Sequence, residues 1–168
     1  QFLSEAYLRT DPRYTGRYTV PCIWDRLKAR LVTNNFPDIT IDFETEFTRF
    51  HGPDAPDLYP EELRPEIDEI NAMVYREVNN GVYRAGFAVT QEAYDSAVVR
   101  LFKALDALEQ RLGRQRFLTG NRITEADIRL FTTLVRFDAV YHGHFKCNLR
   151  RLVDYPNLWG YARDLYQR

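Results

Sequence analysis

The chain has 168 residues, 45% of them hydrophobic and 28% charged, a balance that excludes a disordered polymer and is enough for one full core, or one domain plus part of another. The net charge of −1 comes from interleaved acids and bases with no basic stripe, which argues against nucleic acid as a partner, and no apolar run approaches the length of a membrane span. Cys22 and Cys147 form no motif with each other, which fits a reducing, cytoplasmic setting better than a disulfide scaffold.

In chain order, Phe2, Leu3, Ala6 and Tyr7 share one face of a short helix. The stretch 11–17 reads as a loop, punctuated by Asp-Pro and Thr-Gly. A strand is predicted over 18–24, where Val20-Pro21 marks an edge, a bulge or a cis turn because proline cannot donate to a central ladder. Leu31 and Val32 suggest a returning strand, and 39–50 an acid-bearing helix. The stretch 51–60, rich in proline, is the best linker in the chain.

Beyond it the periodicity is helical. Ile67, Ile70, Asn71, Val74 and Val78 fall on one face, with Gly81 as the expected C-terminal cap. Thr90 is the expected N-cap of a long helix carrying Tyr94, Ala97, Val98, Leu101, Phe102, Leu105, Leu108 and Leu112, closed by Gly113. A third helix runs from Thr124 toward Tyr141. A fourth opens at Asp154 and Pro156, with Leu158, Tyr161, Ala162 and Leu165 inward. At Thr124 a capping box with Asp127 is expected, with Ile123 and Ile128 as the flanking hydrophobic staple. The pattern therefore divides into 1–50, a linker over 51–60, and a helical domain over 61–168. The high aromatic content (14%) suits a wide aromatic-lined cavity or simply a filled core.

Several strings carry more than periodicity. Gly16-Arg17-Tyr18-Thr19-Val20-Pro21, followed by Trp24-Asp25, resembles the end of the thioredoxin-like domain of glutathione transferases. Ile123-Thr124-Glu125-Ala126-Asp127-Ile128 resembles their general helix-capping motif. Asn79-Asn80-Gly81-Val82-Tyr83-Arg84-Ala85-Gly86-Phe87-Ala88 resembles a signature of the glutathionyl-hydroquinone reductases, the xi class. So do Arg136-Phe137-Asp138-Ala139-Val140-Tyr141 and His144-Phe145-Lys146-Cys147-Asn148.

The resemblance implies a mainly α fold, with the C-terminal part of a thioredoxin-like α/β domain followed by a glutathione-transferase helical bundle. It implies a homodimer when full length, and reduction of a hydroquinone thioether by a thiolate that attacks the bridging sulfur. In the family that cysteine lies in a Cys-Pro-Trp-Ala string, which does not occur here and is expected upstream of Gln1. Residues 1–168 alone are accordingly expected to be inactive.

Tyr83 and Tyr141 match tyrosines that bind the hydroquinone hydroxyls. Val20 and Pro21 match the cis turn whose backbone pairs with the cysteinyl part of the thiol. Asn35 and Phe36 stand where the family has an acidic residue and serine that hold the γ-glutamyl zwitterion. The co-substrate is therefore either glutathione or mycothiol, which has no γ-glutamyl group, unless Asp38 takes over the ammonium. From spacing alone, both tyrosines read first as core residues with satisfied hydroxyls, and it is the resemblance of the strings around them that reverses this.

Cys22 and Cys147 read as structural. His142, His144 and Cys147 lack a fourth ligand at zinc-like spacing, so no metal is expected. The reading from a different class is a non-catalytic binding or scaffold module, since helical halves of this superfamily are reused for protein interaction.

Overall fold

The computed structural model describes residues 2–168, which fall into two compact units divided between Pro56 and Asp57. The division lies inside the proline-rich stretch 51–60.

The first unit contains helix α1 (Leu3–Thr10), an antiparallel pair of strands, β1 (Ile23–Asp25) and β2 (Arg30–Thr33), and helix α2 (Phe36–Thr45). Its core is small: Tyr7, Leu31 and Ile39 are buried, whereas Phe2 and Leu3 are exposed. The Tyr7 ring packs at 4.9 Å on Tyr14 and 5.5 Å on Tyr18, and its hydroxyl donates to the Thr19 carbonyl at 2.7 Å. The strand expected over 18–24 is thus reduced to its last residues. The Val20–Pro21 bond is cis, and proline has no N–H for a ladder. The reversal between the strands is held by Asp25, whose Oδ1 accepts from the amides of Leu27 and Lys28 at 2.9 Å.

Helix α2 starts earlier than the sequence suggested, because Pro37 sits in the first turn where its missing N–H costs nothing. It also ends earlier. The expected helix to Phe50 breaks at Thr45, and Thr48–Phe50 forms a separate 3-10 turn.

The second unit is helical: α3 (Arg64–Met73), a π turn (Val74–Asn79), α4 (Asn80–Gly86), α5 (Gln91–Leu112), α6 (Glu125–Leu134), a second π turn (Phe137–Tyr141) and α7 (Pro156–Tyr166). The stripe Ile67, Ile70, Asn71, Val74 and Val78 is buried, and α5 buries Ala97, Val98, Leu101, Phe102, Leu105 and Leu108. Thr90 caps α5 by accepting from the Ala93 amide at 3.2 Å, and Gly113 follows its last turn.

Three expectations change here. Gly81 is not a cap: it lies buried inside α4. The reason is that Asn79 turns its amide away from its own backbone, donating to Thr133 Oγ1 at 2.6 Å and to the Arg129 carbonyl at 3.1 Å on α6. The third helix stops at Leu134 and resumes as the second π turn. And α7 begins at Pro156, two residues past Asp154, which closes a 3-10 turn by accepting from the Arg151 amide at 3.0 Å. The free amides of α7 are met instead by Glu109 of α5, which accepts from Asn157 at 2.9 Å and Leu158 at 2.7 Å.

The start of α6 is the best-bonded point of this unit. Asp127 is fully buried. Its Oδ2 accepts from the Thr124 amide at 2.8 Å and the Thr124 hydroxyl at 3.1 Å. Its Oδ1 accepts from the Leu118 amide at 2.9 Å and the Tyr161 hydroxyl at 2.8 Å. The capping box is therefore present. Ile128, expected in the hydrophobic staple, is 45% exposed, so polar bonds rather than the staple fix the entry of the chain. Among the described residues, no helix is long and apolar enough to cross a membrane.

Removing the Asp127 carboxylate strands several buried donors, each costing about 1–3 kcal/mol. Asp127→Ala is therefore expected to lower unfolding free energy by at least about 3 kcal/mol, against about 1 kcal/mol for Thr90→Ala at an exposed cap. Urea titration of both variants tests this, and equal losses would show that the extra donors add nothing.

Candidate functional site

The helical unit brings Tyr83 and Tyr141 together. Tyr83 stands on α4, just after the first π turn, and Tyr141 ends the second. A π turn widens the helix by one residue and redirects side chains beyond it, which is why such turns recur where a fold must aim a group. In the second turn the Tyr141 amide bonds to the Arg136 carbonyl at 3.4 Å and the His142 amide to the Phe137 carbonyl at 2.8 Å, both in the five-residue pattern.

The two phenol oxygens are 3.2 Å apart and the rings meet edge to face at 5.8 Å and 76°. They differ in setting. Tyr83 is 43% exposed, whereas Tyr141 is 4% exposed. Burial, reinforced by the bond to Tyr83, pushes the Tyr141 hydroxyl up to about 12, so it remains a proton donor throughout the neutral range.

Two further rings complete an aromatic cluster that the sequence reading left unassigned. Phe145 packs edge-on against Tyr83 at 5.4 Å and Tyr141 at 5.3 Å, and Phe87 stacks on Tyr83 at 6.2 Å. Both phenylalanines lie inside the strings that single out the tyrosines, so their position was visible but their role was not. Chemically the arrangement offers a flat apolar surface, with one phenol facing outward and a second behind it to donate to or accept from the first. An apolar cleft of about 390 Å³ between α6 and α7, lined by Phe131, Leu134 and Trp159, contains neither tyrosine. Its polar lining is Asp138, Arg163, Tyr166 and Gln167, and the Asp138 carboxylate already accepts from the amides of Leu152 and Val153, so the paired hydroxyls of the tyrosine cluster are the better candidate.

The other expected residues belong to the first unit. Val20 is exposed beside the cis bond to Pro21. Asn35 is the N-cap residue of α2 and Phe36 its first residue. The Asn35 amide donates to Asp38 Oδ2 at 2.6 Å, and its backbone N–H donates to Thr33 Oγ1 at 3.0 Å. A carboxylate therefore does stand at this helix start, supplied by Asp38 in the first turn.

The two cysteines are free. Cys147 is wholly buried, with its Sγ 3.7 Å from the Phe145 carbonyl and 3.9 Å from the Val82 carbonyl. Burial pushes its thiol up to about 12, which removes the thiolate a nucleophile or metal ligand requires. Among the described residues, no group of three or more His, Cys, Asp or Glu is placed to hold a metal.

This predicts slow labelling of Cys147 by iodoacetamide at pH 8 in the native protein and rapid labelling once unfolded. The sign of the pH effect follows from the raised value. The unfolded thiol ionises near its ordinary 9.0 while the folded one stays neutral to about 12, so stability is unaffected below the first value and lost on rising toward the second. Cys147→Ala should flatten that alkaline loss; an unchanged slope would exclude Cys147 as its source.

Residues 91–164 match the family model "Glutathione S-transferase, C-terminal domain". The chain is 54% identical over 167 residues to glutathionyl-hydroquinone reductase YqjG of Escherichia coli, covering 99% of the chain and 51% of that protein. It is 55% identical over 157 residues to glutathionyl-hydroquinone reductase PcpF of Sphingobium chlorophenolicum, covering 94% of the chain and 50% of that protein. The glutathione-bound structure of YqjG superposes with a TM-score of 0.94 over 99% of this chain and 54% of that one. The glutathione S-transferase Xi of Phanerochaete chrysosporium superposes with a TM-score of 0.95 at 51% identity, over 99% of this chain and 57% of that one. The chain thus spans about half the length of the curated relatives it matches. Over that half it has the fold of the xi-class glutathione transferases and is similar in sequence to the glutathionyl-hydroquinone reductases.

Proposed function

We propose that the whole protein is a thiol-dependent reductase of S-conjugated hydroquinones, and that this chain supplies the wall against which the aromatic ring binds. The observation that carries the reading is the Tyr83–Tyr141 hydroxyl pair, 3.2 Å apart on an aromatic floor with Tyr83 open to solvent. A hydroquinone presents a flat ring and phenolic oxygens, and this surface complements both.

In the proposed reaction a cysteine thiolate attacks the sulfur that links the thiol to the ring. The ring carbon that bears the sulfur takes up a proton as a ring hydroxyl gives one up, and when the carbon–sulfur bond then breaks its electron pair passes through the ring to that oxygen, which leaves as a phenolate and is reprotonated. The cysteine is left in a mixed disulfide, and a second thiol molecule resolves it to release the low-molecular-weight disulfide. Negative charge developing on a ring oxygen is met by the Tyr83 hydroxyl, itself polarised by the buried Tyr141. Neither Cys147 nor Cys22 is assigned as the nucleophile, which we place in the part of the protein outside these 168 residues.

In the full-length protein, Tyr83→Phe and Tyr141→Phe are expected to lower turnover of a hydroquinone thioether by about tenfold to hundredfold each, with melting temperature retained. That corresponds to a lost hydrogen bond of about 1–3 kcal/mol in the barrier. Wild-type rates in both variants would return the tyrosines to the core and favour a non-catalytic binding module.

For the thiol, we propose that Val20, Pro21, Asn35 and Phe36 form the wall that receives it, and that glutathione binds weakly for want of an acid and a hydroxyl at positions 35 and 36. An ammonium without its counter-charge loses about 1.5–3 kcal/mol, or roughly tenfold to hundredfold in affinity. Mycothiol has no such group to satisfy. The contact between Asn35 and Asp38 gives the alternative a physical basis, since Asp38 already places a carboxylate there. Calorimetry separates the two. Weak glutathione binding that improves in Asn35→Glu with Phe36→Ser supports the proposal. Tight glutathione binding lost in Asp38→Asn, with no response to mycothiol, overturns it.

A further inference from the structure

We propose that Phe145 is a positioning residue for the tyrosine pair: it is the wedge that sets the Tyr83 hydroxyl against that of Tyr141. The inference rests on the reading that the pair acts on the substrate's ring oxygen, and it names what holds the pair in register.

Tyr83 is 43% exposed on a short helix, so the protein does not enclose it. A phenol in that setting turns freely about its side-chain torsions unless neighbouring rings restrict it. The Phe145 ring meets Tyr83 nearly at right angles (5.4 Å, 89°), Tyr141 at 5.3 Å and 77°, and Phe87 at 5.5 Å and 65°. It thus touches each of the other three rings of the cluster, with the edge-to-face geometry that the ring quadrupole favours.

A wedge works only if it is itself fixed, and Phe145 is fixed from both sides. On one side its ring lies on Gly86, so closely that a Cβ there would fall 2.6 Å from its Cγ and 2.9 Å from its Cβ. Glycine at position 86 is what admits the ring. On the other side the backbone after it is pinned. Lys146 takes the left-handed conformation (φ 57°), and its carbonyl accepts from the Tyr94 hydroxyl of α5 at 2.6 Å. The next amide, of Cys147, donates to the Tyr141 carbonyl at 3.0 Å, and the Cys147 side chain is wholly buried. Phe145 therefore sits on a loop tied to α5 and to the second π turn, with its ring pressed onto α4.

The test is a double-mutant cycle in the full-length enzyme with a hydroquinone thioether, using Phe145→Leu, Tyr83→Phe and the combined variant, each checked by melting temperature. Should Phe145→Leu not fold, Phe145→Met takes its place. A reacting group displaced by about an ångström loses on the order of a hundredfold, so kcat in Phe145→Leu is expected to fall at least about tenfold, with KM for the thiol unchanged. In the Tyr83→Phe background the same substitution is expected to have little further effect, because the group it positions is gone. Gly86→Ala, which displaces the ring, should reproduce the loss in kcat.

A purely structural role would instead give losses that multiply in the double variant, and that overturns the inference. So does wild-type turnover in Phe145→Leu while Tyr83→Phe is slow, which leaves the tyrosine reading standing. Wild-type turnover in Tyr83→Phe itself removes that reading and the inference together.

Discussion

The helical unit is organised around one buried carboxylate. Asp127 meets four donors from three parts of the chain: the start of its own helix, the turn at Leu118, and Tyr161 of α7. Each of those donors would be stranded without it, because all lie away from water. The consequence is positional. Once the start of α6 is fixed, Arg129 and Thr133 further along it receive the Asn79 side chain, and that contact holds the end of the first π turn. The tyrosine on α4 follows directly. A folding device far from any chemistry thus sets the frame in which the aromatic cluster forms.

Burial divides the labour among the polar groups of that cluster. Tyr141 and Cys147 both have raised ionisation ranges, with desolvation the first cause in each. The effect is opposite in value for function. A phenol that stays protonated remains a hydrogen-bond donor, whereas a thiol that stays protonated is not a nucleophile. The same low-polarity surroundings that suit Tyr141 to brace Tyr83 make Cys147 a packing residue. Its neighbour Phe145 then takes its place in the cluster through packing alone.

The first unit is built on less. Its buried residues are few, and local polar contacts carry much of the geometry: Tyr7 on Thr19, Asp25 on its own turn, and Asn35 on Asp38. Such contacts are short in sequence and easily rearranged by substitution. The contact between Asn35 and Asp38 at the start of α2 is one of them.

The sequence by itself determined what is local. Period and caps located α3, α5 and the box at Thr124, because an amphipathic stripe and a side chain three residues from its partner need no knowledge of the rest of the chain. The strings around Tyr83 and Tyr141 marked those residues and identified the class. What only the tertiary structure decided are the features that depend on distant neighbours. Asn79 reads as a helix end until its partners on α6, some fifty residues away, are in place, and Gly81 then lies inside a helix rather than beyond one. The start of α7 is set by Glu109 of α5, not by the nearby Asp154. The meeting of Tyr83, Tyr141 and Phe145 depends on two π turns and a glycine whose missing Cβ makes room for a ring. Those are matters of packing, which brings together residues that no local pattern links.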